Sequence, residues 1–305
     1  MRIKKILHSN LDPLKKIIWS EDGKFFYTVS FYDSLDNSIN ICVSSQIGCT
    51  ERCVFCATAS YPFIKNLDRK AMEKQYLSGL KVMDGFKRKH NTRTLFIILE
   101  GMGEPSRNLD NCFNALKNIY PKIEKEFDKT VFKISTIGYI GLTDKYIRFI
   151  KENTKYLPKI KFSFQLSLHS PFDEERHILI PTICGETKEI IKGFYKLSDF
   201  LGDKLLCNYM LLNYPDSKTN YSSDHLKELI KITIPSKTII KLTSYSETGK
   251  GFSSPNTKVF QKVKKVLKSE GIEVEVRKLL GSDINAACGM LHYEIDQTMD
   301  TLNTK

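Results

Sequence analysis

The sequence predicts an α/β protein in which parallel strands close, or nearly close, into a barrel. Short runs rich in β-branched and aromatic residues alternate with longer helical patterns, which is typical of βαβ units around a parallel sheet. The chain has 305 residues, 41% of them hydrophobic, enough for the core of one α/β barrel. The pattern contains no internal repeat or long linker, so residues 1–38 are predicted to form a short extension with a hairpin and residues 39–305 one barrel domain.

The individual elements follow from the spacing of the apolar residues. Alternating or continuous apolar runs predict strands, and apolar residues three and four positions apart predict helices. The predicted strands are Phe25–Ser30, Ile39–Val43, Thr94–Leu99, Phe132–Ser135, Lys161–Leu168, Leu205–Leu211, Thr238–Leu242 and Glu273–Val276. The predicted helices are Arg69–Asp84, Asn108–Glu124, Thr143–Lys151, Lys188–Phe200, Ser222–Lys231, Thr257–Glu270 and Ile284–His292. Ligands of α/β barrels bind at the carboxyl ends of the strands, so motifs that directly follow strands are the candidates for chemistry.

The composition is basic: 47 Lys and Arg against 35 Asp and Glu give a formal charge of +12. This balance fits a polyanionic partner such as nucleic acid, and a lysine-rich surface that maintains solubility explains it equally well. No stretch approaches the ~20 apolar residues of a membrane span. The basic N-terminus is not followed by the apolar run of a secretory signal. We therefore expect a cytoplasmic protein that does not bind membranes.

Four of the eight cysteines fall within fifteen residues, at Cys42, Cys49, Cys53 and Cys56. The last three have the spacing C-x3-C-x2-C in one short segment. A structural zinc ion usually has four protein ligands, and here it would need Cys42 or a distant residue such as His169 as the fourth. Three cysteines on a cubane iron–sulfur cluster leave one iron open for a substrate or cofactor. The spacing favours the iron–sulfur cluster over zinc.

Polar motifs follow the next strands. Glu100-Gly-Met-Gly103-Glu104 follows one strand, Ser135 ends the next, and Ser167-Leu168-His169 follows the one after. Glycines at a strand end let backbone approach a ligand, and a carboxylate can accept hydrogen bonds from an ammonium group. Taken singly, these residues are as easily explained by a glycine turn and a hydrogen-bonded structural histidine.

The cysteine spacing resembles the signature of the radical SAM superfamily, and Phe55 before the last cysteine matches that pattern. The resemblance implies a partial (β/α)6 TIM-like barrel. It also implies a [4Fe–4S] cluster held by Cys49, Cys53 and Cys56, with S-adenosylmethionine (SAM) on the open iron. The Gly-Glu motif resembles the one that binds the amino group of SAM in the superfamily.

A longer set of motifs resembles one family within the superfamily, RlmN/Cfr, over about residues 23–293. These motifs are Cys-Val-Ser-Ser-Gln-Ile-Gly-Cys, Gly-Met-Gly-Glu-Pro, Ser-Thr-x-Gly, Ser-Leu-His-Ser, Val-Arg-Lys and Asp-Ile-Asn-Ala-Ala-Cys-Gly-Met-Leu. The family methylates adenosine in ribosomal RNA and, in some members, transfer RNA. The resemblance therefore implies methylation of carbon 2 or 8 of an adenosine, with 23S rRNA or tRNA as partner and a flavodoxin or ferredoxin as electron donor.

The resemblance also implies roles for individual residues. Cys288 would take a methyl group from one SAM molecule and transfer it after radical activation by a second. Cys42 would then release the product by forming a disulfide with Cys288. The residues implied to contact SAM are Gly103, Glu104, Ser135, Ser167, Leu168, His169 and Ser246.

The sequence departs from the family pattern in three places. Only about 22 residues precede the hairpin, too few for the family's N-terminal RNA-holding domain. Tyr27 stands where the family has its proposed general base, a glutamate, and a tyrosine of ordinary pKa ~10 is a poor base at neutral pH. The loop around Ser246 lacks the family's asparagine. Two alternatives thus remain open: the same chemistry on a peptide or small molecule, and a zinc-containing nucleic-acid-binding module.

Overall fold

The sheet begins with antiparallel strands at the N-terminus of the chain. A computed structural model describes residues 1–182 and 184–291. In it, β1 (Arg2–His8), β2 (Leu14–Glu21), β3 (Lys24–Asp33) and β4 (Ser38–Val43) pair in sequence, each antiparallel to the one before. The N-terminal extension therefore continues the sheet of the rest of the chain.

The remaining helices and longer strands alternate. In chain order they are β5 (Gln46–Ile47), β6 (Lys65–Asn66), α1 (Arg69–Lys89), β7 (Thr94–Leu99), α2 (Leu109–Glu126), β8 (Lys129–Thr136), α3 (Leu142–Asn153), β9 (Ile160–Ser167), α4 (Asp173–Leu179), α5 (Thr187–Leu201), β10 (Leu205–Leu211), α6 (Ser223–Ile232), β11 (Thr238–Ser244), α7 (Thr257–Ser269) and β12 (Glu273–Val276).

The parallel strands and their helices form a partial barrel. Over the described residues, the order of the large sheet is β1-β2-β3-β4-β7-β8-β9-β10-β11-β12, and every pair from β4 onward is parallel. Each of β4, β7, β8, β9, β10 and β11 is followed by a crossover that contains a helix. The predicted (β/α)6 architecture is therefore confirmed, with β12 as one further short strand. No helix of the described residues is both long and apolar enough to cross a membrane.

Side chains on the two faces of the sheet differ in character. On the helix side, Phe132 of β8 lies 5.3 Å from Phe113 of α2 and 6.3 Å from Phe162 of β9, measured between ring centroids. Burying each such side chain contributes roughly 1.5–3 kcal/mol. Because neighbouring residues of a strand point to opposite faces, the residues next to Phe132 point into the barrel lumen.

One transverse row on the lumen face is defined by the strand register. Lys16 of β2 pairs with Val29, Val29 with Cys42, Cys42 with Ile98 and Ile98 with Lys133. Paired residues of adjacent strands share a face. The register therefore places Lys16, Cys42 and Lys133, which are 117 positions apart at the extremes, on one wall of the lumen.

Three differences from the sequence prediction have clear causes. Strands β1 and β2 were not predicted because most of β1 is exposed and charged, and Lys16 interrupts the apolar pattern of β2 while being itself buried. Helix α4, seven residues of which five are charged or histidine, lacks an apolar stripe. The predicted helix Ile284–His292 is wrong: a 3-10 turn spans Ser282–Ile284, and the chain then continues as turns to Leu291. His292 lies outside the described residues.

The failed helix is explained by backbone conformation. Gly281, Asn285 and Gly289 all have positive φ angles, 71°, 48° and 81°. Left-handed residues interrupt an α-helix, and Gly and Asn are the residues that adopt this conformation most readily. The segment that carries Cys288 is consequently a loop.

Candidate active site

The first part of the site is the loop that follows β5. Gly48 enters it with φ 79°, and a Cβ there would lie 2.1 Å from the Pro62 carbonyl oxygen, so only glycine fits. Burial, with a smaller contribution from the neighbouring Cys56, raises the pKa of Cys49 to about 12 against the opposing hydrogen bond from the Glu51 amide. The pKa of Cys53 is also raised, first by burial and then by Cys56 and Cys49. Three predicted metal ligands thus converge in one partly buried loop.

The three thiols of the loop act on one another electrostatically: Cys56 and Cys49 both raise the pKa of Cys53. In the described part of the chain, no three His, Cys, Asp or Glu side chains are grouped closely enough to hold one metal ion. Three cysteines of one short loop are the donor set that a cubane iron–sulfur cluster with one open iron uses.

His169 does not complete a zinc site. Its Nδ1 accepts a hydrogen bond from the Met210 amide at 3.1 Å, and its ring lies edge-on to Phe55 with centroids 5.2 Å apart. Burial and the nearby Arg176 lower the pKa of His169 to about 3, so the imidazole is neutral. The residue packs against the cysteine loop as a neutral ring.

The glycine motif that follows β7, Gly101 to Gly103, packs against the end of β4. A Cβ on Gly101 would lie 2.5 Å from the Val43 carbonyl oxygen, and Gly103 has φ 101°. The buried carboxylate of Glu104 accepts hydrogen bonds from the amides of Ser106 (3.0 Å) and Ile137 (3.1 Å). Each carboxylate oxygen has a second lone pair, which leaves capacity for a ligand. Burial raises the pKa of Glu104.

The next two strand ends are tied together by Arg176 of α4. Its guanidinium donates to the carbonyls of Ile137, Ser167 (3.3 Å) and Leu168 (3.2 Å). The Ser135 hydroxyl accepts a hydrogen bond from Gln165 Nε2 at 3.2 Å. Of the predicted SAM contacts, Ser167 is partly exposed, whereas Leu168 is fully buried.

Some buried polar atoms at this end of the barrel have no partner within the described residues, among them the hydroxyl of Ser246 and Oε1 of Gln165. A buried polar group without a hydrogen bond costs about 1–3 kcal/mol, so both atoms fit a site that receives a polar ligand. The Ser246 loop also reaches the cysteine loop, because Thr248 Oγ1 donates to the Phe55 carbonyl at 2.9 Å.

The loop that carries Cys288 is bonded to the cysteine loop. The Gly289 carbonyl accepts a hydrogen bond from the Ala57 amide at 2.9 Å, and Cys56 Sγ lies 3.9 Å from the same oxygen. The C-terminal motif therefore contacts the cysteine loop, which lies more than 230 residues earlier in the chain.

The N-terminal strands hold the other side of the Cys288 loop. Asp283 accepts hydrogen bonds from the Ser9 hydroxyl and the Asn10 amide, both at 2.8 Å. The buried Lys16 Nζ donates to the Asn285 carbonyl at 2.8 Å and lies 4.9 Å from the centre of the Tyr27 ring. Tyr27 is 1% exposed. Tyr27, at the position where the family has its proposed general base, therefore lies next to Lys16, which binds the Cys288 loop.

Cys288 and Cys42 lie in one electrostatic environment, and both are free thiols. Cys288 is exposed to solvent, yet desolvation by the surrounding protein raises the pKa of its thiol to about 11, while the Arg277 charge opposes this increase. Burial raises the pKa of Cys42, with further contributions from Glu100 and Cys288. Arg277 Nη1 forms a 2.9 Å salt bridge with Glu100 Oε2. The structure therefore brings the two predicted catalytic cysteines together beside an ion pair.

Several lumen residues were missed as site residues in the sequence. Lys133 and Lys241 occur inside apolar strand runs, and Gln165 occurs in a third. Gln165 Nε2 donates to Glu100 Oε1 at 3.1 Å, and Lys241 Nζ lies 3.4 Å from Glu275 Oε2. The sequence did contain a signal for Lys133 and Lys241, because each is a charged residue within a strand pattern that is otherwise apolar.

Comparison with known proteins identifies the family. No protein-family model matches the chain. The dual-specificity RNA methyltransferase RlmN of Lawsonia intracellularis is 32% identical over 294 residues, which cover 93% of this chain and 77% of that protein. The probable dual-specificity RNA methyltransferase RlmN of Thermotoga maritima is 28% identical over 288 residues, covering 94% and 78%.

A solved structure supports the fold independently. The crystal structure of a radical SAM methyltransferase from Sphaerobacter thermophilus superposes with a TM-score of 0.81 at 23% identity, over 96% of this chain and 81% of that one. The similarity in sequence and the similarity in fold both agree with the three cysteines of the loop as a donor set for an iron–sulfur cluster. The chain belongs to the RlmN/Cfr family of radical SAM methyltransferases, and its cofactors are a [4Fe–4S] cluster and S-adenosylmethionine.

Proposed function

We propose that this enzyme methylates carbon 2 or carbon 8 of an adenosine in 23S rRNA or tRNA, with Cys288 as the methyl carrier. The observation that carries the proposal is the position of Cys288: its loop is hydrogen-bonded to the cysteine loop through Gly289 and Ala57, and its thiol shares the lumen with Cys42. A methyl carrier must reach the source of the methyl group, the source of the radical and the substrate from one place.

In this proposal the cysteine loop holds the cluster through Cys49, Cys53 and Cys56. When bound there, the cluster would supply the electron for the reductive cleavage of SAM, which yields a 5′-deoxyadenosyl radical. SAM is bound at the strand ends by Gly103, Glu104, Ser135, Ser167, Leu168, His169 and Ser246. The unpartnered Ser246 hydroxyl supports a polar contact from that loop. Since Leu168 and His169 are buried and already hydrogen-bonded, they contribute backbone and ring surface.

Cys288 first acts as a nucleophile. Its Sγ displaces the methyl group from the sulfonium of SAM, so that an S–CH₃ bond forms and the sulfonium carbon–sulfur bond breaks with its electron pair on sulfur. The thiol must lose its proton for this attack, and Arg277 favours the thiolate. The S-methyl group is then activated by loss of a hydrogen atom. An electron-poor ring carbon of adenine requires this route because it does not attack a sulfonium itself.

Cys42 resolves the covalent adduct by forming a disulfide with Cys288. It lies on β4, in the lumen row, and is partly exposed. In this proposal both thiols are reduced when the cycle begins. An external electron donor such as a flavodoxin or ferredoxin supplies the electron for SAM cleavage, and two electrons with two protons return the disulfide to two thiols. We place the reaction in the cytoplasm, where thiols stay reduced.

RNA as substrate is supported by two observations. The relatives are named as dual-specificity RNA methyltransferases, and the chain carries a formal charge of +12, which suits a polyanion. In this proposal residues 39–305 form the catalytic domain and residues 1–38 the extension that buttresses the Cys288 loop.

The test is nucleoside mass spectrometry. Reconstituted enzyme receives deuteromethyl SAM, a reductant, and rRNA and tRNA from a host that lacks its own such enzyme. We expect a labelled methyladenosine whose retention time distinguishes carbon 2 from carbon 8. Cys288→Ala should abolish the label but still produce 5′-deoxyadenosine, whereas Cys112→Ala, a buried cysteine of α2, should retain labelling.

Two results contradict the proposal. Labelling of RNA by Cys288→Ala would exclude the methyl-cysteine route. Formation of 5′-deoxyadenosine by the wild-type enzyme without any labelled nucleoside would exclude RNA as the substrate and leave a peptide or small molecule to be tested.

A further inference from the structure

The proposed reaction needs a proton acceptor. A ring carbon that gains a methyl group loses its hydrogen, and after a radical has added to that carbon the hydrogen leaves as a proton. The inference below rests on the proposed function. We propose that Lys133, in the lumen of the barrel, accepts the proton that leaves the methylated ring carbon.

The position of Lys133 supports this role. It lies on β8 in the same transverse row as Cys42, two strands away. Ser135, two residues later on the same face, is one of the predicted SAM contacts. Lys133 is partly exposed, so its amine can be reached from the lumen. It therefore points into the space that is bounded by Cys42, the strand ends and the Cys288 loop.

The charges around Lys133 keep its amine available as a base. Lys241 of β11, Glu100 of β7 and Arg277 after β12 all act electrostatically on Lys133. Burial and the positive charge of Lys241 lower the pKa of Lys133 to about 7, against the opposing effect of Glu100. A substantial fraction of the amine is then neutral near pH 7, with a free lone pair.

The neighbouring carboxylates are engaged elsewhere. Glu100 is bound by Arg277 at 2.9 Å and by Gln165 at 3.1 Å, and Glu275 lies 3.4 Å from Lys241. Within residues 1–182 and 184–291, Lys133 itself forms no salt bridge. Of the cations in this cluster, it is the one that is not held in the charged state by a paired carboxylate.

The step balances with the proposed electron carrier as the one further reactant. Once the bond from the Cys288 methylene to the ring carbon has formed, the adduct carries an unpaired electron. The C–H bond of that carbon breaks and its electron pair stays in the ring. The proton binds the Lys133 lone pair and gives an ammonium group, which later loses its proton to solvent. Cys42 then acts on the deprotonated adduct: the Cys42–Cys288 disulfide forms, the bond from the Cys288 sulfur to the methylene carbon breaks, and that carbon takes the proton of the Cys42 thiol. The unpaired electron passes to the oxidised flavodoxin or ferredoxin.

The decisive variant is Lys133→Arg, because arginine keeps the positive charge but cannot act as a base near pH 7. We expect 5′-deoxyadenosine and methylated Cys288 to form as in the wild type, and the covalent protein–RNA adduct to accumulate on denaturing gels. Release of methyladenosine should fall by about 10²-fold or more, the usual size of general base catalysis. Lys129→Arg, an exposed change at the start of the same strand, is the matched control.

A second variant tests the proton transfer directly. Lys133→His supplies a group that can accept a proton near neutral pH, and we expect it to release more product than Lys133→Arg. In the wild type, adduct breakdown should become faster as the pH rises through the pKa of Lys133 and then level off. This rise in the rate of adduct breakdown should occur at a different pH in Lys133→His, and it should be absent from Lys133→Arg.

The outcomes separate this inference from the proposed function. Full product release by Lys133→Arg would overturn the inference and leave the proposed function intact. Equal loss of 5′-deoxyadenosine in Lys133→Arg and Lys133→His would also overturn it, since the residue would then act on cofactor binding. Absence of labelled RNA with the wild-type enzyme would instead refute the proposed function.

Discussion

The two sides of the active site are built in opposite ways. The cysteine loop is local: its three thiols come from eight consecutive residues and owe their elevated pKa values mainly to burial. The lumen is assembled from distant strands, and its groups are controlled by one another's charges, as in the Glu100–Arg277 pair. A single substitution in the cysteine loop should therefore abolish activity completely. Substitutions in the lumen should have smaller effects that depend on one another.

The largest effect is expected on the local side. Cys53→Ala removes one of the three proposed cluster ligands, so we expect loss of the brown iron chromophore and of all 5′-deoxyadenosine formation, whatever the substrate. Iron analysis and an absorbance spectrum of anaerobically reconstituted protein provide the measurement. Cys207→Ala, which changes a buried cysteine of β10 outside the loop, should still bind iron. A Cys53→Ala protein with full iron content would show that the loop is not the cluster site.

The coupled side should respond less severely, and through stability as well as activity. Arg277→Met leaves the Glu100 carboxylate, 11% exposed, without its charged partner. We expect the free energy of unfolding to fall by about 1–3 kcal/mol, less than for a fully buried pair because Arg277 is 32% exposed. Urea denaturation measures the loss. The double variant Glu100→Gln with Arg277→Met should recover part of it, and strictly additive effects would argue against coupling.

Acid should weaken the same network. The charge of Arg277 holds the pKa of Glu100 below its ordinary value despite burial. A carboxyl with a lowered folded pKa contributes stability above its unfolded pKa of about 4.3 and loses it as the pH falls through the folded value. The midpoint of urea unfolding should therefore fall with pH in this acidic window. Glu100→Gln should flatten the curve there, and an unchanged curve would exclude Glu100 as its source.

The smallest effect is expected at the junction of the two sides. Ser246→Ala removes the buried hydroxyl that has no partner within the described residues. We expect the KM for SAM to rise about fivefold, as for one lost hydrogen bond of about 1 kcal/mol, while stability is kept or improves. Ser254→Ala, which removes another such hydroxyl in the same connecting segment, should leave the KM unchanged. Equal KM values for both variants would remove Ser246 from the SAM contacts.

The same contrast explains what could be predicted from the sequence. The cysteine loop could be singled out because its three thiols lie within one short motif. The bounds of β7, β10 and β12 were predicted to the residue, and the apolar runs of β7 and β12 end at charged residues, Glu100 and Arg277. The position of Lys133 beside Lys241 was not predictable. It depends on which face each strand turns inward and on the register across the sheet, and a shift of one residue would reverse both.

Local propensity also misled in one place. Ile284 to Leu291 contains two alanines and well-spaced apolar residues, which favour a helix. Tertiary contacts override this preference, since the carbonyls of Asn285 and Gly289 are bound by Lys16 and the Ala57 amide. The helix would have used these groups internally, and the loop instead uses them to fasten Cys288 in place.

The fastening of Asp283 and Asn285 by Ser9, Asn10 and Lys16 has a consequence for biosynthesis. During translation, the ribosome adds about 270 residues between the strand that carries Lys16 and the segment that carries Cys288. The loop that carries Cys288 therefore acquires these contacts only after the strands of the barrel have been synthesised. Cys288 is consequently the last of the proposed site residues to be placed, and its position reports that the N-terminal strands and the C-terminal segment have folded together.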